Sequence, residues 1–256
     1  MTEHSAYGLV GRTLGHSFSR SYFTEKFEQE GIDASYVNIE LSDISGLPAA
    51  VASLGLAGFN VTVPYKQAVI PLLAGGLDAS AAGVGAVNVV RVLPDGRMRG
   101  YNTDAPAFAE SLGGLLAGRP VPRRALVLGT GGASRAVVAA LRGMGIEPLL
   151  VSRTPGRGDL TYADLTARVM ADCLLVVNAT PVGTWPRSDE APAIPYDALT
   201  PAHACFDLVY NPDPTLFMRR AAARGAAVRS GLEMLRLQAE GSWKIWNKPI
   251  DINNNE

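Results

Sequence analysis

The sequence predicts an α/β protein built as two domains, on three observations. Short apolar segments of strand type alternate with amphipathic segments of helical period along nearly the whole chain. The stretch Ala125-Leu126-Val127-Leu128-Gly129-Thr130-Gly131-Gly132-Ala133-Ser134-Arg135-Ala136 joins such a strand to a helix through a glycine-rich turn. The 256 residues, 47% of them hydrophobic, are long for one domain and comfortable for two.

Composition narrows the partners. With 18% charged residues and a formal net charge of −1, the chain gives no electrostatic case for nucleic acid or an anionic membrane. No apolar run reaches membrane-spanning length. Glu3 and His4 stand where a signal peptide would be basic and then apolar, so the expected address is the cytoplasm. Cys173 and Cys205 lie among apolar residues and read as buried free thiols rather than a disulfide, a nucleophile or a metal site.

In chain order, Tyr7 to Gly11 reads as a buried strand and Arg20 to Glu30 as a helix with Tyr22, Phe23 and Phe27 on one face. Ser17 and Ser19 fall between them, at a strand's carboxyl end, where open α/β sheets bind ligands; Ser19 suits a helix N-cap equally well. Tyr36 to Leu41 alternates as a strand, and Ile44 to Leu54 reads as an amphipathic helix. In the strand Gly58-Phe59-Asn60-Val61-Thr62-Val63, Asn60 and Thr62 share a face. Pro64 ends that strand, and Lys66 is expected to begin a helix carrying Val69, Ile70, Leu72 and Leu73. A lysine opposes the helix dipole there, which favours a task at the strand end over a solvated surface position. Asp95-Gly96 marks a hairpin, with Asn88 before one strand and Thr103-Asp104 after the other. These strand ends gather hydroxyls, amides, one lysine and one aspartate without a metal-ligand cluster. That inventory suits a small hydroxyl-rich molecule, with Lys66 for proton transfer.

A helix from Ala105 to Leu116 and the joint Gly118-Arg119-Pro120-Val121-Pro122 read as the domain boundary. Beyond it, the glycine turn at a helix N-terminus suits an anion site of Rossmann type, although glycines also make ordinary βα turns. At the end of the next strand, an acid would hold a ribose 2′-hydroxyl. Ser152, Arg153, Thr154 and Arg157 stand there instead and fit a 2′-phosphate, which points to NADP. Further strands end at Asn178 and Asp207, and a helix from Leu232 to Trp246 carries Gln238 beside its apolar face, a position whose pattern alone favours a solvated surface glutamine over a ligand contact.

The chain resembles the shikimate dehydrogenase family over nearly its whole length. The matching blocks are His16-Ser17-Phe18-Ser19, Asn60-Val61-Thr62-Val63-Pro64-Tyr65-Lys66, Gly85-Ala86-Val87-Asn88, Gly100-Tyr101-Asn102-Thr103-Asp104 and Gly129-Thr130-Gly131-Gly132-Ala133. Further along come Ser152-Arg153-Thr154, Asn178-Ala179-Thr180-Pro181-Val182-Gly183, Asp207-Leu208-Val209-Tyr210 and Gly231-Leu232-Glu233-Met234-Leu235 with Gln238. The resemblance implies two domains around a cleft: a substrate-binding catalytic domain of residues 1–104, completed by the C-terminal helix 232–256, and a Rossmann NADP-binding domain of residues 105–231. It implies reversible NADP-dependent reduction of 3-dehydroshikimate to shikimate, by a monomer or homodimer. Lys66 and Asp104 would be the catalytic pair. Ser17 and Ser19 would hold the substrate carboxylate, with Asn60, Thr62, Asn88, Thr103, Tyr210 and Gln238 completing the shell. Gly129, Thr130, Gly131, Gly132, Ala133, Ser152, Arg153, Thr154, Arg157, Thr180, Leu208 and Gly231 would meet NADP. The chain departs from the pattern at Thr13 and Arg20, where prolines are common, at Val89, where threonine is, and at Ser152, where asparagine is. A relative of broader quinate or NAD use and a catalytically silent NADP-binding module are the rival readings.

Overall fold

The computed structural model describes residues 4–15 and 18–249. The chain divides into two units, residues 1–103 with 238–256 and residues 104–237. Among the described residues no helix is long and apolar enough to cross a membrane.

The first unit begins with β1 (Ser5–Gly11), α1 (Phe18–Glu30), β2 (Ala34–Glu40), α2 (Leu47–Leu54) and β3 (Leu56–Val61). It continues through α3 (Tyr65–Ala68), α4 (Ala79–Val84) and the hairpin β4 (Val89–Val92) and β5 (Met98–Tyr101). The sheet order is β2-β1-β3-β4-β5, with β1 parallel to both neighbours and the hairpin antiparallel. Because β1 has β2 on one side and β3 on the other, the loops leaving β1 and β3 part at their carboxyl ends, the place where such sheets open a crevice. Strand alternation fills both faces. Leu9 joins Tyr7, Phe23, Phe27 and Tyr36 in one cluster, while Val10 joins Leu47, Phe59 and Val61 in the other. Trp246 closes the first cluster, its ring centroid 4.7 Å from Tyr7 and 5.3 Å from Phe23, with its indole N–H donating to Val90 O at 3.0 Å. Gly58 lies under that indole, where any Cβ would strike the ring.

The second unit contains α5 (Asp104–Leu116), β6 (Arg124–Leu128), α6 (Gly132–Gly143), β7 (Glu147–Ser152), β8 (Leu160–Thr161) and α7 (Ala167–Asp172). It continues with β9 (Leu175–Asn178), β10 (Ala204–Asp207), α8 (Leu216–Ala222) and β11 (Ala227–Ser230). The sheet is parallel throughout, in the order β11-β10-β9-β6-β7-β8. Renumbered within the unit this reads 3-2-1-4-5-6 from the β8 side, the dinucleotide-binding order, with its reversal between β6 and β9. Both faces are covered. Ala125, Val127, Val177 and Phe206 pack with Phe108 and Val137, and Leu126, Leu128, Val176 and Cys205 pack with Phe217 and Met170. Cys173 and Cys205 are free and buried there. The last helix, α9 (Leu232–Trp246), belongs to the second unit up to Leu237 and to the first from Gln238.

Several elements differ from their sequence reading. α1 starts at Phe18, so Ser19 lies in its first turn and is not an N-cap. The helix expected from Ile44 is a 3-10 turn, Ile44–Gly46, that leads into α2. The helix expected through Leu73 is only the single turn α3, followed by a 3-10 turn at Ile70–Leu72. Pro71 has no N–H to extend an α ladder. The dipole argument for Lys66 therefore fails, since one turn develops little dipole and places Lys66 in its last turn. The first division between units falls at the start of α5, within one residue of the expected 104/105 boundary and with residues 118–122 inside the second unit, whereas the second division falls after Leu237 and not before Leu232. α4, β8 and α7 are too short to leave a periodic signal.

Candidate active site

In the first unit, the carboxyl edge of β3 and the matching ends of the hairpin bring together a buried polar network. Tyr36, fully enclosed and stacked on Phe23 at 4.7 Å, donates its hydroxyl to Asn60 Oδ1 at 2.8 Å and receives the Ser19 hydroxyl. Burial pushes its pKa well above the ordinary value, which keeps the phenol a neutral donor. Asn60 Nδ2 donates to Asn88 O at 3.2 Å and to Ser242 Oγ at 2.8 Å, and Ser242 donates onward to Gln238 O at 2.9 Å. Asn88 accepts the Thr103 N–H at 2.8 Å and donates to the Thr103 hydroxyl at 2.9 Å, while that hydroxyl donates to Gln238 O at 3.1 Å. Asn60, Asn88, Thr103 and Gln238 are all buried. Every buried amide must find partners, so this mutual satisfaction fixes their orientation at the crevice. Asn102 belongs to the same edge, donating to Ala86 O at 2.9 Å.

Lys66 is placed by its backbone: its carbonyl accepts the Val87 N–H at 2.7 Å, next to Asn88. Tyr65, just before it, is anchored by its hydroxyl to Leu41 O at 2.6 Å and lies under the Arg12 guanidinium. Thr62 follows the end of β3, half-buried, its N–H bonded to Val10 O at 2.9 Å. Ser17 lies outside the described residues. Ser19, Asn60, Thr62, Lys66, Asn88, Thr103 and Gln238 thus all belong to the first unit.

The second unit carries the remaining residues. Asp104, next along the chain from Thr103, is buried in the first turn of α5, where the helix dipole favours a carboxylate. After β6, Gly129 adopts φ 106°, a left-handed conformation that only glycine takes easily, and a Cβ there would press on Thr180 and Ala179. A Cβ on Gly131 or Gly132 would meet nothing. Among the described residues no side chain caps the α6 N-terminus. Open space before uncapped helix N–H groups fits a pyrophosphate. At the end of β7, Ser152 is buried and its hydroxyl accepts the Thr154 N–H at 3.1 Å, which turns Arg153, Thr154 and Arg157 outward to the surface. Asp159, the acid nearest along the chain, is turned back on the strand, accepting the Leu150 N–H at 2.8 Å. Tyr210 follows β10 and is 36% exposed.

Asp207 ends β10 and is fully buried. Burial pushes its carboxyl up to about 6, against the pull of donors from Thr215, Val209 and Asn178. Its folded pKa therefore exceeds the unfolded value of about 3.9, so the folded state holds the proton more tightly. The associated stability is complete below the unfolded value and is lost as pH rises through about 6. Between pH 4 and pH 7, wild type should lose on the order of 2–3 kcal/mol relative to Asp207→Asn. Urea midpoints of both proteins at both pH values check this, and equal changes would mean that Asp207 does not titrate there.

The family model for the shikimate dehydrogenase substrate binding domain matches residues 9–90. The shikimate dehydrogenase (NADP(+)) of Desulforamulus reducens is 34% identical over 271 residues, covering 97% of this chain and 92% of that protein. The chain belongs to the shikimate dehydrogenase family. Its fold matches the shikimate dehydrogenase of Thermus thermophilus in complex with NADP(H) and shikimate, with TM-score 0.83 and 33% identity over 96% of this chain and 94% of that one. It also matches the quinate dehydrogenase of Corynebacterium glutamicum in complex with NAD, with TM-score 0.86 and 27% identity over 96% and 94%.

Against the family pattern, Val89 is fully buried in the aromatic cluster with Tyr7 and Trp246, so its missing hydroxyl belongs to the packing side. Sequence reasoning passed over Tyr36, Ser242 and Asp207. The signal for Ser242 was available, since it lies four residues after Gln238 on the same helix face as buried Ala239 and Trp246. Tyr36 carried no signal, because a strand aromatic reads as core.

Proposed function

We propose that this protein is an NADP-dependent shikimate dehydrogenase that reversibly reduces 3-dehydroshikimate to shikimate. The observation carrying the reading is the interlocked network of buried Asn60, Asn88, Thr103 and Gln238, joined to half-buried Ser19 through Tyr36, in a chain of this family. Such a set of fixed amide and hydroxyl groups suits a polyhydroxylated ring. Ser19, with Ser17, would hold the substrate carboxylate, and Thr62 and Tyr210 would add hydroxyl contacts.

Gly129 to Ala133 would hold the pyrophosphate of NADP, with Arg153, Thr154 and Arg157 at its 2′-phosphate, and Thr180, Leu208 and Gly231 along its length. Bound NADPH supplies the hydride. Lys66 donates the proton to the carbonyl oxygen as negative charge develops there, and takes it back in the oxidation direction. Asp104 would be the second catalytic residue. The chain acts in the cytoplasm as a monomer or homodimer.

NADPH formation followed by absorbance, with shikimate and NADP+ beside NAD+ and quinate, tests the reading. Turnover with shikimate and NADP+ alone is expected. Turnover with quinate and NAD+ would favour the second reading, a quinate-type enzyme, which the fold match to the Corynebacterium glutamicum protein supports. Replacing both Arg153 and Arg157 by serine should raise KM for NADP+ by about tenfold to a hundredfold through lost charge-assisted bonds, while KM for NAD+ stays within about twofold. An equal rise for both cofactors would refute the 2′-phosphate assignment.

A further inference from the structure

We infer that Asp207 is a positioning residue for the dinucleotide-binding loops, its buried carboxylate setting the orientation of Asn178 and through it the seat of the Gly129 turn. The inference rests on the reading that these loops take NADP.

Asp207 and Asn178 are register partners at the last residues of β10 and β9, adjacent parallel strands on the cofactor side of the sheet. Three neutral donors hold the carboxylate. Asn178 Nδ2 donates to Oδ1 at 2.9 Å, the Val209 N–H donates to the same oxygen at 3.0 Å, and the Thr215 hydroxyl donates to Oδ2 at 2.6 Å. An ionised carboxylate only accepts, so it admits one end of the Asn178 amide, the NH2. The opposite end, Oδ1, must then face the following turn. There it accepts both the Thr180 N–H at 3.1 Å and the Thr180 hydroxyl at 2.6 Å. With its proton committed to Asn178, the Thr180 hydroxyl accepts the Val182 N–H at 3.3 Å. Its methyl faces Gly129, 3.0 Å from where a Cβ on that glycine would stand. The polarity of one buried carboxylate is thereby relayed through an amide to the first glycine of the turn.

The surrounding charges do not compete for this role. Asp213 accepts from Ser230 at 2.7 Å, Cys205 lies one strand turn back on β10, and Tyr196 is covered by the Arg220 guanidinium at 5.3 Å. An asparagine at 207 would present an NH2 as well as an oxygen, leaving the Asn178 amide, whose Nδ2 also donates to Val182 O at 3.3 Å, held only by Val182 O and by the Thr180 N–H and hydroxyl.

The test is the affinity of Asp207→Asn for NADP+ by calorimetry at pH 8, with KM, kcat and melting temperature measured alongside. The Kd for NADP+ is expected to rise at least about tenfold, the scale of one charged hydrogen bond. KM for NADP+ should rise by more than kcat falls. Asn178→Ala should weaken NADP+ binding similarly, and the double variant should be no weaker than the worse single one, because all three lesions break one relay. A Kd within twofold of wild type in folded Asp207→Asn, or two effects that multiply, would overturn the assignment. If Asp207→Asn does not fold, Asn178→Ala carries the same criterion. Failure of both to fold would overturn the assignment by making the pair a folding element. Wild type that binds NADP+ without oxidising shikimate would remove the proposed activity and leave this inference intact, whereas wild type that binds no NADP+ would remove both.

Discussion

Lys66→Ala should lower turnover by about 10²–10⁴-fold, the usual worth of a positioned proton donor, with the Kd for NADP+ unchanged. Hydride addition to a ketone leaves an alkoxide that must be protonated, and an alanine offers neither charge nor proton. NADP+ binding should survive because the residues assigned to it belong to the unit of residues 104–237, while Lys66 belongs to the other. Steady-state kinetics in both directions, with calorimetric NADP+ binding on the same preparation, check both halves. Turnover within tenfold of wild type would remove Lys66 from the chemistry. A matching loss of NADP+ affinity would instead assign it a binding role.

Gly231→Ala should lower stability by about 1–3 kcal/mol and weaken NADP+ binding together. A Cβ on Gly231 would run into the carbonyl of Leu208, and the obstacle is backbone rather than the flexible end of a side chain. Leu208 cannot retreat freely, since its N–H is bonded to Asn178 O at 2.9 Å and the Gly231 N–H is bonded to Val209 O at 3.2 Å. The cost is steric, as φ at Gly231 lies outside the left-handed set. A melting temperature lower by several degrees, with a raised Kd for NADP+, is the expected pair of results. An unchanged melting temperature would show that the end of β10 yields without cost.

The legible parts of this protein are those that local geometry dictates. Strand alternation and the Asp95-Gly96 turn gave the hairpin, and the Gly129 turn announced itself because a tight strand-to-helix turn requires glycine. For Lys66 the dipole argument fails, because the helix expected to disfavour it is a single turn followed by a 3-10 turn that contains Pro71. The pattern around Gln238 favours a solvated glutamine, yet Gln238 is buried. What buries it are Asn88 and Thr103, which lie more than a hundred residues away in sequence, and no local pattern encodes such a meeting. Nothing local marks Asp207, because a carboxylate's partners on the neighbouring strand and just before the next helix appear only once the register is known.

The share of α9 that belongs to the first unit has a consequence for how the protein is made. Residues 104–237 are synthesised as one uninterrupted stretch, whereas the other unit is assembled from two separate ones. The aromatic cluster of Tyr7, Phe23 and Tyr36 must wait for Trp246, which emerges last among them and fills the floor beside Gly58. Until then Tyr7, Phe23 and Tyr36 lack the ring that closes their cluster. Tyr7, Phe23 and Tyr36 are thus synthesised before the residue that completes their cluster, and a growing chain needs protection from aggregation there.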